Sequence, residues 1–376
     1  MSLVIGVLFS SYGPYHIARV EGLVKSPQIP EKQIVAIELA RSQEEYPWKT
    51  KIETLDFSLV TIFKNKNLEK TNLFTLLLKL NHILNQVNPS VVVIPGYFQA
   101  SILFTLVWCL WHGKPAILLS ETTEIDAERS FWRETVKSWI VKKYKSGLVG
   151  GQPHKRYLIK LGMPSEAIFL GYNIVGNDTF HPHKIKSLPK LIEKPYFLAV
   201  NRFIPKKNLL FLISAYKNYR QIVGKKAWDL VLCGDGQLRS DIEKQIAQFG
   251  LENYVHLPGF LQQDALLPYF AHAECFIHAS VEEPWGLVVN EAMAAGLPVI
   301  VSNRCGCFED LVIEGVNGFG FNPDNLDELT NLLVKVSAGN IDVEKMKNAS
   351  LEHIQKFSPD YFASGLIQAV KFALNN

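Results

Sequence analysis

Two patterns of hydrophobic and polar positions alternate along the first half of the chain. Short continuous apolar runs have the length and composition of strands that are buried on both faces. Longer segments between them carry apolar residues at helical spacing. This alternation predicts an α/β fold with a doubly wound parallel sheet. The predicted strands are residues 3–9, 34–39, 91–94 and 115–119, and residues 148–150 are predicted to close this sheet. The clearest helices are residues 68–87 and 101–111.

The second half of the chain repeats the alternation after a polar stretch. Residues 181–195 contain three prolines and are the best candidate for a linker. We therefore predict a first domain over residues 1–180 and a second over residues 181–358. A terminal helix over residues 359–376 is expected to return toward the first domain. The strands predicted in the second domain are residues 196–200, 230–233, 255–257, 275–278 and 299–302, and residues 315–321 are predicted to form a turn and a further strand.

The most apolar segment, residues 101–111, is hydrophobic on nearly every side of a helix. A helix of this kind is expected to be buried, and it is too short to span a bilayer. The first residues lack the basic region of a signal peptide and are predicted to form a strand. We therefore expect a cytoplasmic protein.

Residues 131–145 form a basic amphipathic helix with Trp132, Val136 and Trp139 at helical spacing. Such a helix could lie on the anionic face of a membrane, with its cations near the lipid headgroups. Alternatively, the apolar stripe could face the protein core while the basic side is solvated. Of these two arrangements, we expect the core-facing one.

Composition describes an ordinary globular protein of 376 residues, with 48% hydrophobic and 20% charged residues. The net charge of +3 is unevenly distributed, because residues 1–160 contain 20 Lys and Arg against 13 Asp and Glu. A basic first half suggests an anionic partner, although chance asymmetry explains it equally well. The five cysteines have no metal-site or disulfide spacing, so we expect buried free thiols.

The stretch over residues 283–298 contains the clearest candidate chemistry. Glu283 and Glu291 are separated by seven residues, and a Pro-x-Gly turn between them leads into an apolar helix. The free backbone N–H groups at the start of that helix, around Gly286 to Val288, could hold phosphate oxygens. The alternative is that both glutamates are ordinary cap and surface residues.

Two further groups of residues in the first half are weaker candidates. Gly13 and His16 follow the first predicted strand, where α/β proteins bind ligands, but a tight turn and a solvated histidine are equally plausible. Glu124 and Asp126 have a spacing that could hold a divalent cation, yet acids at a helix start also suit the helix dipole. We assign no metal to this pair.

Taken together in chain order, four stretches resemble the retaining glycosyltransferases of family 4, which have the GT-B fold. They are residues 201–208, which include Arg202 and Lys207, residues 232–236, residues 283–298 and residues 305–318. The resemblance covers roughly residues 197–321, and it is specific as an ordered set. It implies two Rossmann-like domains that face a cleft. The first half matches only in layout.

The sequence departs from the family pattern at three positions. Gly13 is followed by proline where the family often has a second glycine, which leaves the acceptor side open. Trp285 stands where phenylalanine is more usual, and Asn208 where glycine is.

The resemblance implies a role for each matching residue on the donor side. Arg202 and Lys207 would bind the diphosphate of a sugar nucleotide and stabilise its charge as it leaves. The backbone of Gly286, Leu287 and Val288, beside Trp285, would add further donors.

Hydroxyl groups and the base would be bound by other positions. Glu291 would accept hydrogen bonds from the ribose, and Glu283 from the transferred sugar. Gly259, Phe260 and Leu261 would contact the base. On the first domain, Gly13 would allow the backbone to approach the diphosphate, and His16 is the candidate on the acceptor side.

The implied activity is transfer of a hexose, with glucose expected, from a uridine diphosphate (UDP) sugar to a saccharide or lipid-linked acceptor. Retention would let the departing phosphate take the acceptor proton, so that no dedicated carboxylate base is needed. The positive charge of Arg202, Lys207 and the helix N-terminus would replace a metal, and no metal or other cofactor is expected. A peripheral membrane contact is a possible addition, and no nucleic-acid partner is expected. The competing hypotheses are a phosphorylase or sugar-nucleotide epimerase on the same fold and a non-catalytic sugar-nucleotide-binding subunit.

Overall fold

The structure is a computed structural model that describes residues 3–28, 33–42, 50, 55–125, 129–339 and 341–376. The chain forms two compact units. The first contains residues 1–176 together with residues 357–376, and the second contains residues 177–356. Each unit is built around its own parallel β-sheet.

The first unit has a seven-stranded sheet in the order β3-β2-β1-β4-β5-β6-β7, with every neighbouring pair parallel. At its centre, Ile5 of β1 is aligned with Ile34 of β2 on one side and with Val91 of β4 on the other. All five residues of β1 are buried, as expected for a central strand covered on both faces. The strands are β1 (Ile5–Phe9), β2 (Ile34–Ser42), β3 (Ser58–Asn67), β4 (Val91–Pro95), β5 (Ala116–Ser120), β6 (Ser146–Val149) and β7 (Ile168–Leu170).

The helices of the first unit connect these strands and cover the sheet. They are α1 (Pro14–Lys25), α2 (Leu73–Val87), α3 (Ala100–Trp111), α4 (Phe131–Val141) and α5 (Gln152–Lys160). The last helix of the chain, α15 (Pro359–Asn375), also belongs to this unit. It packs on α1 and on β6, where the Ser146 hydroxyl donates a 2.9 Å hydrogen bond to the Ala369 carbonyl.

The second unit has a six-stranded sheet in the order β10-β9-β8-β11-β12-β13, also parallel throughout. Phe197 of the central strand β8 is aligned with Leu230 of β9 and with Cys275 of β11. The strands are β8 (Tyr196–Val200), β9 (Asp229–Cys233), β10 (Val255–Gly259), β11 (Cys275–His278), β12 (Val299–Ser302) and β13 (Gly318–Phe321).

The helices of the second unit follow the same doubly wound pattern. They are α6 (Asn177–Phe180), α7 (Pro182–Ile185), α8 (Leu209–Val223), α9 (Arg239–Gln248), α10 (Gln263–His272), α11 (Leu287–Ala294), α12 (Phe308–Leu311), α13 (Leu326–Ser337) and α14 (Val343–Ile354). The buried face of α8 carries Leu212, Ile213 and Tyr216, which join the main apolar cluster of this unit.

Two predictions about the helices of the first unit are wrong. The helix α3 is not buried on every side, because Val107, Leu110 and Trp111 are each more than half exposed. In a doubly wound fold the sheet covers only one side of each helix, so an apolar outer side can remain exposed.

The apolar stripe of α4 does not face the core either. Trp132, Val136 and Trp139 are 77%, 57% and 66% exposed, whereas Lys137 and Val141 face inward. The buried Lys137 ammonium group is satisfied by a 2.7 Å contact to Glu134 and a 3.1 Å contact to the Tyr157 hydroxyl. These contacts allow the side of α4 that carries Lys137 to face the protein, while the tryptophan side is exposed.

Two strands, β3 and β7, are absent from the prediction. β3 lies at the edge of its sheet and has mostly exposed or half-buried residues, so it lacks the continuous apolar run of a central strand. The five free cysteines are all buried, which confirms that prediction. Within the described residues, every helix is too short or too polar to traverse a bilayer.

Candidate active site

The candidate site lies at the carboxyl ends of β8 and β11. These strands are neighbours in the sheet, although β9 and β10 separate them in the chain. The connections after β8 and β11 therefore leave in opposite directions, and open α/β sheets bind ligands at such a switch point. The arrangement brings residues 201–208 next to residues 279–286. These are the two loops that contain the predicted diphosphate-binding and sugar-binding residues.

Backbone hydrogen bonds hold the two loops against each other. The Val281 N–H donates to the Lys206 carbonyl at 2.9 Å. From the other side, the Gly306 N–H donates to the Glu283 carbonyl at 2.9 Å. The backbone of Glu283 is therefore positioned by the loops that follow β8 and β12.

Lys207 ends a short 3-10 turn, Pro205–Lys207, that leads into α8. The next residue, Asn208, has a left-handed conformation with φ of 57°. Glycine and asparagine are the residues that best tolerate this conformation, which explains why asparagine can stand where the family usually has glycine. The turn directs the Lys207 side chain inward, and the residue is 9% exposed.

Lys207 and Glu283 form an ion pair between the Lys207 Nζ and the Glu283 Oε2. Both side chains are largely buried, with 11% and 13% of their surface exposed. The structure thus brings together two residues that the sequence places 76 positions apart. A cation suited to phosphate and a carboxylate suited to hydroxyl groups lie side by side.

Two side chains that the sequence analysis missed, His278 and Ser280, meet the same carboxylate oxygen. The His278 Nε2 and the Ser280 Oγ each lie 3.3 Å from the Glu283 Oε2. Burial by itself raises the pKa of Glu283, but the hydrogen bond from His278 and the charge of Lys207 outweigh it and hold the pKa well below its usual range. Glu283 is therefore a carboxylate, and it can accept hydrogen bonds from hydroxyl groups.

Gly286 is the N-cap residue of α11 and has φ of 105°, a conformation that residues with a side chain rarely adopt. A Cβ atom there would also lie 3.2 Å from the His278 Nε2. Leu287 and Val288 occupy the first turn, where the backbone N–H groups have no partner within the helix. The predicted phosphate-binding backbone is thus at a helix N-terminus beside Glu283.

Trp285 and Glu291 flank this N-terminus in different ways. Trp285 is buried, and its indole N–H donates to the Asn290 Oδ1 at 2.8 Å. Asn290 is a further residue that sequence analysis missed. Glu291 lies on α11 and is 6% exposed.

The remaining donor-side residues lie at the ends of neighbouring strands. Arg202 follows β8 and is partly exposed. Gly259 ends β10, and its carbonyl accepts a 2.8 Å hydrogen bond from the Gly234 N–H. Phe260 is exposed, while Leu261 is half-buried. Gly259, Phe260 and Leu261 therefore lie at the end of the edge strand of this sheet, two strands from β8.

Gly13 and His16 lie in the first unit, at the carboxyl end of β1. The Gly13 N–H donates to the His16 Nδ1 at 3.2 Å, which caps α1. Gly13 has φ of −83°, so its backbone conformation does not require glycine. Burial and then the nearby Arg19 lower the pKa of His16 to about 3, so its ring is neutral at physiological pH.

The Glu124 and Asp126 pair is only partly described, because Asp126 lies outside the described residues. Glu124 forms an exposed ion pair with Lys160. Among the residues that the structure describes, no cluster of His, Cys, Asp and Glu has the arrangement of a metal site.

Comparison with known proteins shows what the second half of the chain is similar to. Residues 181–353 match the family model described as Glycosyl transferases group 1, which confirms the predicted resemblance at that level. An uncharacterized glycosyltransferase, MJ1607 of Methanocaldococcus jannaschii, is 31% identical over 183 residues, which are 48% of this chain and 46% of that protein. The amylovoran biosynthesis glycosyltransferase AmsK of Erwinia amylovora is 29% identical over 50% of this chain and 46% of that protein.

The alignments span about half the length of these curated relatives. Solved structures extend the likeness to the whole fold. The crystal structure of HepE from Anabaena, in complex with UDP and glucose, has a TM-score of 0.76 at 18% identity, and covers 98% of this chain and 99% of that chain. The predicted fold class, two doubly wound parallel-sheet domains of the GT-B type, is confirmed.

Proposed function

We propose that the protein is a retaining glycosyltransferase of family 4 that transfers a hexose from a nucleoside diphosphate sugar. The observation that carries this proposal is the meeting of Lys207 and Glu283 at the switch point of the second sheet, beside the N-terminus of α11. A buried cation, a buried carboxylate and free backbone N–H groups are the groups needed to bind a sugar attached to a diphosphate.

In this proposal the residues divide the donor between them. Lys207 and Arg202 neutralise the diphosphate, and the first N–H groups of α11 donate to its oxygens. Glu283 accepts hydrogen bonds from the hexose, and Glu291 accepts from the ribose. The base rests on the backbone around Gly259, with Phe260 and Leu261 next to it.

The chemistry that follows is a displacement with retention at the anomeric carbon. The bond from that carbon to the diphosphate breaks, and the acceptor hydroxyl attacks from the same face while its proton passes to the departing phosphate. Positive charge from Arg202, Lys207 and the helix N-terminus stabilises the leaving diphosphate, so the proposed reaction uses no metal. Glu283 binds hydroxyl groups and does not transfer a proton.

His16 is proposed for the acceptor side, together with the turn at Gly13. Because the His16 Nδ1 accepts from the Gly13 N–H, the neutral ring carries its hydrogen on Nε2. His16 is therefore suited to donate a hydrogen bond to an oxygen of the ligand and is poorly suited to take a proton from it.

The donor is proposed to be a UDP-hexose, with UDP-glucose first, because HepE was solved with UDP and glucose. The acceptor is proposed to be a saccharide or a lipid-linked saccharide in polysaccharide or glycolipid biosynthesis. The relative AmsK, named for amylovoran biosynthesis, supports the polysaccharide class.

A panel of uridine and guanosine diphosphate sugars tests the donor proposal. Thermal stabilisation of the purified protein should identify the nucleotide, because a ligand that binds only the folded state raises the melting temperature. Transfer or slow hydrolysis of the labelled sugar should follow with the same donor, and Glu283→Ala should lower it strongly. If no donor binds or reacts, or if Glu283→Ala changes neither property, the enzyme proposal is wrong. Binding without any turnover would favour the non-catalytic subunit.

We also propose that the outer face of α4 contacts the inner face of the membrane, where a lipid-linked acceptor would be found. Trp132, Val136 and Trp139 lie on this face and are exposed. Arg133 of this helix is also exposed, and so are three lysines just after it, Lys142, Lys143 and Lys145. Exposed tryptophan beside lysine and arginine suits the interface of an anionic bilayer.

Liposome sedimentation tests the membrane proposal. The wild type should bind vesicles that contain phosphatidylglycerol, and less so at high salt. A double substitution, Trp132→Ser with Trp139→Ser, should weaken binding, whereas Ile222→Ser, at an exposed apolar residue of the second unit, should not. Equal sedimentation of all three proteins, or salt-insensitive binding, would contradict the proposal.

A further inference from the structure

The Glu283 carboxylate is held through one of its two oxygens. Three donors converge on Oε2: the Lys207 ammonium group, His278 at 3.3 Å and Ser280 at 3.3 Å. Within the described part of the chain, Oε1 makes no hydrogen bond. The carboxylate is therefore anchored on one side and open on the other, where a hydroxyl group could donate to it.

The ring of His278 has one chemically sensible state in these surroundings. A carboxylate oxygen can only accept, so the nitrogen that faces it, Nε2, must carry the hydrogen. Burial lowers the pKa of His278 despite the nearby carboxylate, so the ring is neutral and Nδ1 has no hydrogen. His278 is completely buried and ends β11, which leaves the ring little freedom to turn.

Lys207 cannot bind the Glu283 carboxylate and the diphosphate of a sugar nucleotide equally strongly at the same time. If Lys207 binds the diphosphate, as proposed above, its ammonium hydrogens are shared with phosphate oxygens when the site is filled. The pull of Lys207 on the Glu283 Oε2 then weakens, and only His278 and Ser280 still hold that oxygen. Neither of them is charged, so the diphosphate attracts them less strongly than it attracts Lys207.

We propose that His278 is a positioning residue that keeps the Glu283 Oε1 directed toward the transferred sugar while Lys207 is engaged by the diphosphate. This inference rests on the proposed donor site and adds a residue to it that acts only through Glu283. Gly286 supports the arrangement, since any larger residue would press a Cβ atom against the His278 Nε2 at 3.2 Å.

Two variants separate the hydrogen bond from simple packing. His278→Phe keeps a ring of similar size but removes the donor. His278→Gln places an amide N–H near the original position of Nε2 and so can restore the donor. Calorimetric titration of the full chain with UDP and with UDP-glucose then gives two dissociation constants for each protein. The dissociation constant for UDP divided by that for UDP-glucose measures what the sugar adds to binding.

In His278→Phe, this ratio should fall by about tenfold or more, because the variant loses a hydrogen bond to the charged Glu283 carboxylate. Affinity for UDP alone should change by less than about threefold, because UDP lacks the hexose that Glu283 holds. His278→Gln should recover most of the loss. An unchanged ratio in His278→Phe, an equal loss of both affinities, or a His278→Gln as impaired as His278→Phe would overturn the proposal.

A second measurement does not depend on any ligand. Nitrogen NMR of protein labelled with ¹⁵N-histidine should show His278 as the neutral Nε2–H tautomer at neutral pH. A neutral ring with its hydrogen on Nδ1, which leaves Nε2 without a hydrogen to donate, would contradict the anchoring of Oε2. If the wild type binds no sugar nucleotide, the proposed function fails, and the tautomer alone decides whether His278 positions Glu283.

Discussion

The buried hydrogen bond between Trp285 and Asn290 makes a strong prediction about stability. Trp285 is 2% exposed and Asn290 is fully buried, and the indole N–H lies 2.8 Å from the amide oxygen. Each residue needs the other, because a buried polar atom without a partner is costly. Trp285→Phe and Asn290→Leu should therefore be harmful separately and much less harmful together.

The magnitudes follow from the groups left behind. Trp285→Phe leaves the Asn290 oxygen without its donor, at about 1–3 kcal/mol, and the lost ring atoms add about 1–2 kcal/mol of cavity cost. Asn290→Leu removes the oxygen that accepts from the indole N–H at 2.8 Å, again at about 1–3 kcal/mol. In the double variant neither atom is stranded. Its loss of unfolding free energy should be smaller than the sum of the single losses by about 1–3 kcal/mol.

Guanidinium chloride unfolding of the full chain, followed by circular dichroism, measures these differences. Because the chain has two compact units, the comparison uses the transition that shifts in the single variants and requires an unchanged denaturant slope. Asn290 also makes an interaction besides the one with Trp285, and its loss cancels because it occurs on both sides of the cycle.

A matched control combines Asn290→Leu with Trp228→Phe, a tryptophan of the same unit that packs on Phe197. These two changes should be additive. If Trp285→Phe with Asn290→Leu is also additive to within about 0.5 kcal/mol, the buried hydrogen bond does not explain how tryptophan is accommodated at this position.

Three further predictions concern the backbone and pH. Gly286→Ala should lower the unfolding free energy by about 2 kcal/mol and weaken binding of the sugar nucleotide, because it combines φ of 105° with crowding of His278. The control Gly315→Ala, with φ of 72° and open space around the new Cβ atom, should cost about 1 kcal/mol and leave binding intact. Gly234→Ala should prevent the second unit from folding stably, visible as lost cooperative unfolding, because its Cβ atom would overlap a backbone carbonyl oxygen; normal unfolding would contradict this. Because the pKa of His16 is lowered to about 3, the unfolded chain binds a proton that the folded chain does not; stability from this group is complete above about pH 6.5 and is lost as the pH falls toward 3. Acid titration of stability should show a smaller decline in His16→Gln, and an identical decline would refute the assignment.

Much of the fold could be predicted because local patterns of apolar and polar residues indicate its strands and helices. Central strands such as β1 are continuous apolar runs, since they are covered on both faces. The fold class followed from the alternation of such runs with helices. The edge strand β3 escaped prediction for the same reason, because one side of it has no neighbouring strand and its residues are largely exposed or half-buried.

The candidate site could be predicted only in part. Arg202, Lys207, Glu283 and Glu291 stand in stretches with a family pattern, and Lys207 and Glu283 meet in the structure. His278 gave no signal, because a histidine that ends an apolar strand has no distinguishing spacing. Its contact with Glu283 depends on the loop over residues 279–283, which brings the carboxylate back to the end of β11.

The sequence by itself determined the types and order of most elements and most residues of the proposed donor site. Only the tertiary structure decided which side of each helix the sheet covers, and so left Trp132 and Trp139 of α4 exposed. Periodicity shows that a helix has two different faces, but the neighbours that cover one of them are supplied by distant parts of the chain. The tertiary structure also decided the surroundings of Glu283. Its carboxylate is anchored, and its orientation depends on Lys207, His278 and Ser280.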